Sequence, residues 1–185
     1  GHAGRQLQRV LEPMKHQTLR AAQRGFTLIE LMIVVTLVAV LISLTAPSFT
    51  RMLARGKLEG AAGELVTDLQ YARSEAVARN AQVAIYTGAN CYTVYQVIGA
   101  AATGCAALGT GVAIKSVTLA DQGITTAATP ANTVFEPIRG SSVAGDNRIT
   151  LTLTAAGSTL SADVKAVGRV KLCTENGFTG VPACT

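Results

Sequence analysis

Residues 24–46 read Arg24-Gly25-Phe26-Thr27-Leu28-Ile29-Glu30-Leu31 and then MIVVTLVAVLISLTA, and this stretch decides the architecture. From Phe26 to Ala46 there are 21 residues with a single charge, Glu30. As a helix rising 1.5 Å per residue the run covers about 30 Å, the thickness of a bilayer core. Basic residues precede it, which predicts a cytoplasmic N-terminus and export of the downstream chain. The run is too long for a signal peptide and has no small-residue cleavage site after it. A carboxylate inside such a segment costs about 2.5–3.5 kcal/mol on insertion, so Glu30 reads as a functional residue.

Upstream, residues 1–25 carry Arg5, Arg9, Lys15, Arg20 and Arg24 against Glu12, a net +4, while the other 160 residues carry 11 cations and 10 acids, a net +1. The formal charge of +5 therefore belongs mostly to the N-terminal stretch. Any acidic partner must be argued from a local patch, and the basic pI does not argue it. Both histidines, His2 and His16, lie in the same stretch. From Phe26 onward the chain lacks histidine for acid–base catalysis, for activating a Ser or Cys nucleophile, or for binding a metal. The acids are scattered and no Gly-rich phosphate loop opens a helix. These features predict neither an enzyme nor a bound cofactor or metal.

The cysteines are Cys91, Cys105, Cys173 and Cys184, with no C-x-x-C pair. An even count at wide spacing, downstream of an export-like segment, predicts two disulfides in an oxidising compartment. Three pairings are possible. Nearest-neighbour pairing, Cys91–Cys105 and Cys173–Cys184, closes two short loops and is the one expected here. A loop of about 15 residues is worth about 3 kcal/mol in the chain-entropy model.

Downstream of Pro47, Leu58, Ala61, Ala62, Leu65, Leu69, Ala72 and Ala76 recur at three- and four-residue steps, predicting one helix from Phe26 to Arg79 with a kink at Pro47. Glu64, Asp68, Arg73, Glu75 and Arg79 sit largely off that stripe, and Arg73, Glu75 and Arg79 read as a solvated face with local ion pairs. Gly56, Gly60 and Gly63 each cost about 1 kcal/mol against alanine and suggest a looser or closely packed section. From Ala81 on, two-residue alternation predicts strands at 82–87, 92–98, 111–119, 132–136, 148–154 and 165–173, with loops at 99–110 and 120–131 and a turn at 140–147. The fold expected is α+β, a long kinked N-terminal helix packed on a C-terminal antiparallel β domain. Its parts are a leader 1–25, a transmembrane or filament-core half-helix 26–53 and an exported globular domain 54–185.

The segment Arg24-Gly25-Phe26-Thr27-Leu28-Ile29-Glu30-Leu31 with its apolar run resembles the type IV prepilin motif. That resemblance implies cleavage between Gly25 and Phe26 by a prepilin peptidase, N-methylation of Phe26, and pairing of Glu30 with the terminal amine of a neighbouring subunit. A buried carboxylate is tolerable when it meets a cation in low dielectric. Many pilins carry a proline where Pro47 stands. Family leaders are short and basic, so a start at Met14 gives a typical leader and residues 1–13 read as an over-extended start or appended residues.

The segment Leu65 to Tyr86, LVTDLQYARSEAVARNAQVAIY, resembles the FimT/GspH-like minor pilins and pseudopilins, with Leu69, Ala72, Arg73, Ser74, Glu75, Ala76, Val77 and Arg79 at the matching places. Gly168-Arg169-Val170-Lys171 resembles the C-terminal G-R-x-R motif of FimT-like proteins and departs from it at the last position. Lysine neutralises a phosphate as a point charge without the bidentate fork of arginine. The resemblance implies sequence-independent contact of Arg169 and Lys171 with duplex DNA, with Lys165 and Arg148 adding charge if their strands neighbour this one. It implies a minor pilin of a type IV pilus with a part in natural transformation. The alternatives are a minor pseudopilin of a type II secretion system and a structural, assembly-priming subunit without ligand. The expected partners are other pilin subunits, the peptidase, the inner membrane and DNA.

Overall fold

The computed structural model describes residues 25–153, 157–176 and 178–185, with the side chains of 45–47 left out. The expectations for residues 1–24 and for a kink at Pro47 lie outside the described residues. The chain divides into two compact units after Leu44.

Helix α1 runs from Leu28 to Arg79. Thr27 Oγ1 accepts the Glu30 N–H at 3.2 Å, as in an N-terminal capping box, and the Glu30 charge sits in the first turn where the helix dipole favours it. At the other end Asn80 adopts φ 48° and the Ala81 N–H reaches back to the Ala76 carbonyl at 3.2 Å, a Schellman-type stop. In the first unit the apolar side chains from Leu28 to Leu44 are 47–76% exposed on every side, a surface that requires lipid or neighbouring helices. Leu28–Leu44 alone is too short to cross a membrane; taken with the helical residues from Ser48 on it passes by length and composition.

In the second unit Leu58, Ala61, Ala62, Leu65, Leu69, Ala72 and Ala76 are all buried, as their spacing predicts. Each fully buried leucine of this stripe is worth about 1.5–3 kcal/mol. The stripe packs on two antiparallel four-stranded sheets, which share its core. The first sheet orders β3 (Val112–Thr118), β2 (Cys91–Gln96), β1 (Val83–Thr87) and β5 (Asn132–Phe135). The second orders β4 (Ile124–Ala128), β6 (Asn147–Leu153), β7 (Ser158–Val164) and β8 (Val170–Cys173). Disulfides join Cys91 to Cys105 and Cys173 to Cys184. The described buried core residues all lie between Leu58 and Cys173, so a fragment 54–185 keeps this core and is expected to fold by itself.

Three strands depart from expectation. β4 occupies a stretch expected as loop, and β7 was not expected at all. The strand expected over 165–173 begins only at Val170, because Lys165–Arg169 closes the β7–β8 hairpin. Gly56, Gly60 and Gly63 have open space where a Cβ would stand, so no close packing explains them within this chain. Gly60→Ala is therefore expected to stabilise fragment 54–185 by about 1 kcal/mol in urea unfolding, the helix-propensity difference alone. A loss of stability would show that the site is packed.

Candidate nucleic-acid interface

The second sheet builds the site. In β6, β7 and β8 the residues Arg148, Asp163 and Lys171 stand opposite one another in register, on the outer face. Val170 and Leu172 alternate to the inner face and pack on the core. Cys173 shares the outer face with Lys171 and ties β8 to the C-terminal segment through Cys184.

The cations expected to gather here fall into two groups. Arg148 faces Asp163 at 3.6 Å and Glu175 at 3.1 Å. Lys165 lies 3.0 Å from Asp163 and 3.4 Å from Asp146. Hydrogen bonds that the Lys165 ammonium donates to Asp163 and then Asp146 raise the Lys165 pKa above its ordinary value. The Ala166 N–H, donated to Asp146 at 2.7 Å, holds the Asp146 carboxyl below its ordinary value, with Lys165 adding to the effect. The charges of Arg148 and Lys165 are thus met within the chain. Arg169 and Lys171 are exposed and have no carboxylate partner among the described residues. Arg169 sits in the turn before β8, where Gly168 takes φ 77° and donates its N–H to the Lys165 carbonyl.

One residue at this end was misread from sequence. Arg73 of α1 does not lie on a solvated face; its chain passes between the β7–β8 turn and the turn at Gly140. Its Nε lies 2.9 Å from the place of a Cβ on either Gly140 or Gly168, and it is half-buried. Arg79 and Glu75, by contrast, form the expected local pair. At the N-terminal end Gly25, Phe26 and Glu30 are exposed, with Phe26 at 82%.

A family profile described as Type II transport protein GspH matches residues 61–168, more than half of the chain. The chain belongs to the GspH family. A second profile, the prokaryotic N-terminal methylation motif, matches residues 20–46. Together they make this GspH-family chain a minor pilin or pseudopilin of the type IV pilin-like superfamily, whose members are assembly subunits. The motif and the apolar helix fit a pilin anchored in the inner membrane. Among solved structures the chain is similar to the type IV minor pilin FimU of Pseudomonas aeruginosa in two crystal forms. One form gives 21% identity over 62% of this chain and 91% of that chain with a TM-score of 0.48, and the other 22%, 64%, 89% and 0.49. No curated protein sequence matches.

Proposed function

We propose that the chain is a FimT-like minor type IV pilin that joins a pilus through its apolar helix and contacts duplex DNA during natural transformation. The observation that carries the reading is the exposure of Arg169 and Lys171 without carboxylate partners, beside Arg148 and Lys165, which are paired. Such cations meet backbone phosphates, fix no base sequence, and bind more weakly as salt rises. A mobility shift with fragment 54–185 and duplex DNA at low salt tests it. Arg169→Ala and Lys171→Ala should each weaken binding, and each should lower the slope of log K against log salt by about 0.9. The reading fails if the unmodified fragment does not bind, or if both variants bind as well as it does. A purely structural subunit gives the first of these results.

The assembly part of the proposal places cleavage between Gly25 and Phe26, methylation of Phe26, and a Glu30 carboxylate paired with the Phe26 amine of a neighbouring subunit in the inner membrane. The N-terminus then stays cytoplasmic and the disulfide-bonded domain is periplasmic. Glu30→Ala should be cleaved normally yet enter filaments poorly; normal incorporation on immunoblots of sheared pili would sink this part. A second reading, a minor pseudopilin of a type II secretion system, is favoured by the description of the matching family. Loss of secretion with intact transformation in a deletion strain would select it.

A further inference from the structure

Arg73 joins two parts of the sequence that its position on α1 would keep apart. Gly140 and Gly168 approach so closely that a Cβ on Gly168 would stand 2.0 Å from the Gly140 carbonyl oxygen, and the Arg73 chain runs against both. Arg139 immediately precedes Gly140, and Arg169 immediately succeeds Gly168. The two turns that meet beside the last turns of α1 thus each carry an arginine next to the contact, and Arg73 lies against both. Arg73 and Arg139 line one open groove of about 610 Å³ with Gln70, Ser74, Val77 and Ala78. None of the three has a carboxylate partner among the described residues. Of the acids on these elements, Glu75 pairs with Arg79, and Glu136 accepts the Ser141 hydroxyl without pairing with any of the three. Arginines on adjoining elements without an ion-pair partner of their own favour an anion placed between them. Guanidinium forks match phosphate oxygens bidentately, which a lysine cluster does not.

We propose that Arg73, Arg139 and Arg169 form one phosphodiester-binding notch, occupied by a backbone phosphate of duplex DNA. The proposal rests on the reading of the chain as a DNA-binding subunit and moves the centre of the contact surface. The contact does not spread along the outer face to Arg148 and Lys165, whose charges Asp146, Asp163 and Glu175 already meet. It turns the corner from Lys171 and Arg169 to the groove beside α1. Half-buried and held by backbone on two sides, Arg73 needs little ordering on binding, while exposed Arg139 and Arg169 supply the outer contacts.

The test is fluorescence anisotropy of a labelled duplex with fragment 54–185 at low salt, comparing Arg139→Glu, Arg73→Gln and Arg169→Ala. Lys57→Glu is the charge-matched control, 16 residues before Arg73 and about 24 Å away along the helix. Arg139→Glu should weaken binding about tenfold or more and lower the salt slope by about 0.9, with Lys57→Glu near the unmodified fragment. Arg139 is exposed and outside the glycine contact, so its variant is expected to fold, and circular dichroism of Arg73→Gln checks that variant. If Arg139→Glu binds no more weakly than Lys57→Glu while Arg169→Ala and Lys171→Ala bind poorly, the notch is overturned and the DNA-binding reading stands. If the unmodified fragment does not bind, both fall. If Arg139→Glu keeps DNA binding but loses binding to phosphatidylglycerol vesicles, the notch belongs to lipid headgroups and the proposal is overturned.

Discussion

Replacing Gly168 with alanine is expected to destabilise fragment 54–185 by about 3 kcal/mol or more and to weaken any DNA binding with it. Two independent costs add. Gly168 holds φ 77°, in the left-handed region, where a Cβ costs about 1–2 kcal/mol. The new methyl would also lie 2.0 Å from the Gly140 carbonyl oxygen and 2.9 Å from Arg73 Nε. The first neighbour is backbone, so the β7–β8 turn must move away from the turn at Gly140, and Arg73 loses one wall of its slot. Overpacking of this kind costs about 1–3 kcal/mol. Gly123→Ala separates the two terms, since Gly123 has φ 66° and open space around its Cβ position. It should cost only the conformational part, about 1–2 kcal/mol. Urea midpoints of the two variants check the difference. Equal losses at both positions would mean that the turn yields freely and that the glycine serves conformation alone. On the expected outcome, the glycine of the Gly168-Arg169-Val170-Lys171 motif has a structural reason of its own, because it lets two turns close on Arg73.

How much the sequence disclosed depends on how local each signal is. The α1 stripe is legible because all its members face one surface and large aliphatics alternate with small alanines at helical steps. The hairpin of β1 and β2 is legible because Val83, Ile85, Tyr92 and Val94 are large and turn residues bound them. β4 alternates in burial, yet Ile124 is its one large apolar residue, and Thr and Ala carry a weak periodic signal. β7 hides for a different reason. Ser161 and Asp163 are buried on its polar face, Ser161 by its contact with the Thr150 hydroxyl and Asp163 by Arg148 and Lys165, so its two faces do not differ in exposure. Arg73 escaped because its partners lie 67 and 95 residues away and are glycines, which announce flexibility more readily than contact. The division of the C-terminal cations was equally hidden, since it depends on which carboxylates the sheet register brings opposite Arg148 and the hairpin turn brings beside Lys165.

Asp68→Ala is expected to cost the domain about 3 kcal/mol, although Asp68 sits largely off the apolar stripe of α1. Its side chain is 6% exposed. Its carboxylate accepts the Tyr92 hydroxyl at 2.8 Å and the Lys115 ammonium at 2.7 Å and 2.9 Å, so it fastens α1 to β2 and β3. Removing it leaves a fully buried phenol without an acceptor, about 1–3 kcal/mol, and removes a charge-assisted bond to a lysine that is partly solvated and keeps Glu64. Asp68→Asn retains an acceptor for Tyr92 and should lose about half as much. Tyr92→Phe should cost about 1–1.5 kcal/mol alone and nearly nothing in the Asp68→Ala background, which a double-mutant cycle reads directly. The same cluster sets the alkaline limit. Burial, then the bond to Asp68, pushes the Tyr92 pKa up; the bond to Asp68 pushes the Lys115 pKa up, against partial desolvation. A raised folded pKa gives stability that is complete below the unfolded value, about 10 for both groups, and is lost above it as only the unfolded chain releases the proton. Stability should therefore be flat towards pH 9 and fall beyond about pH 10, by up to about 1.4 kcal/mol per pH unit for buried Tyr92 and by much less for Lys115, whose side chain is 38% exposed and screened by solvent. In Tyr92→Phe the fall should be shallower by one proton's worth. An unchanged slope in that variant would show that Tyr92 ionises as freely in the fold as outside it, which a phenol sealed against an aspartate between a helix and a sheet cannot do.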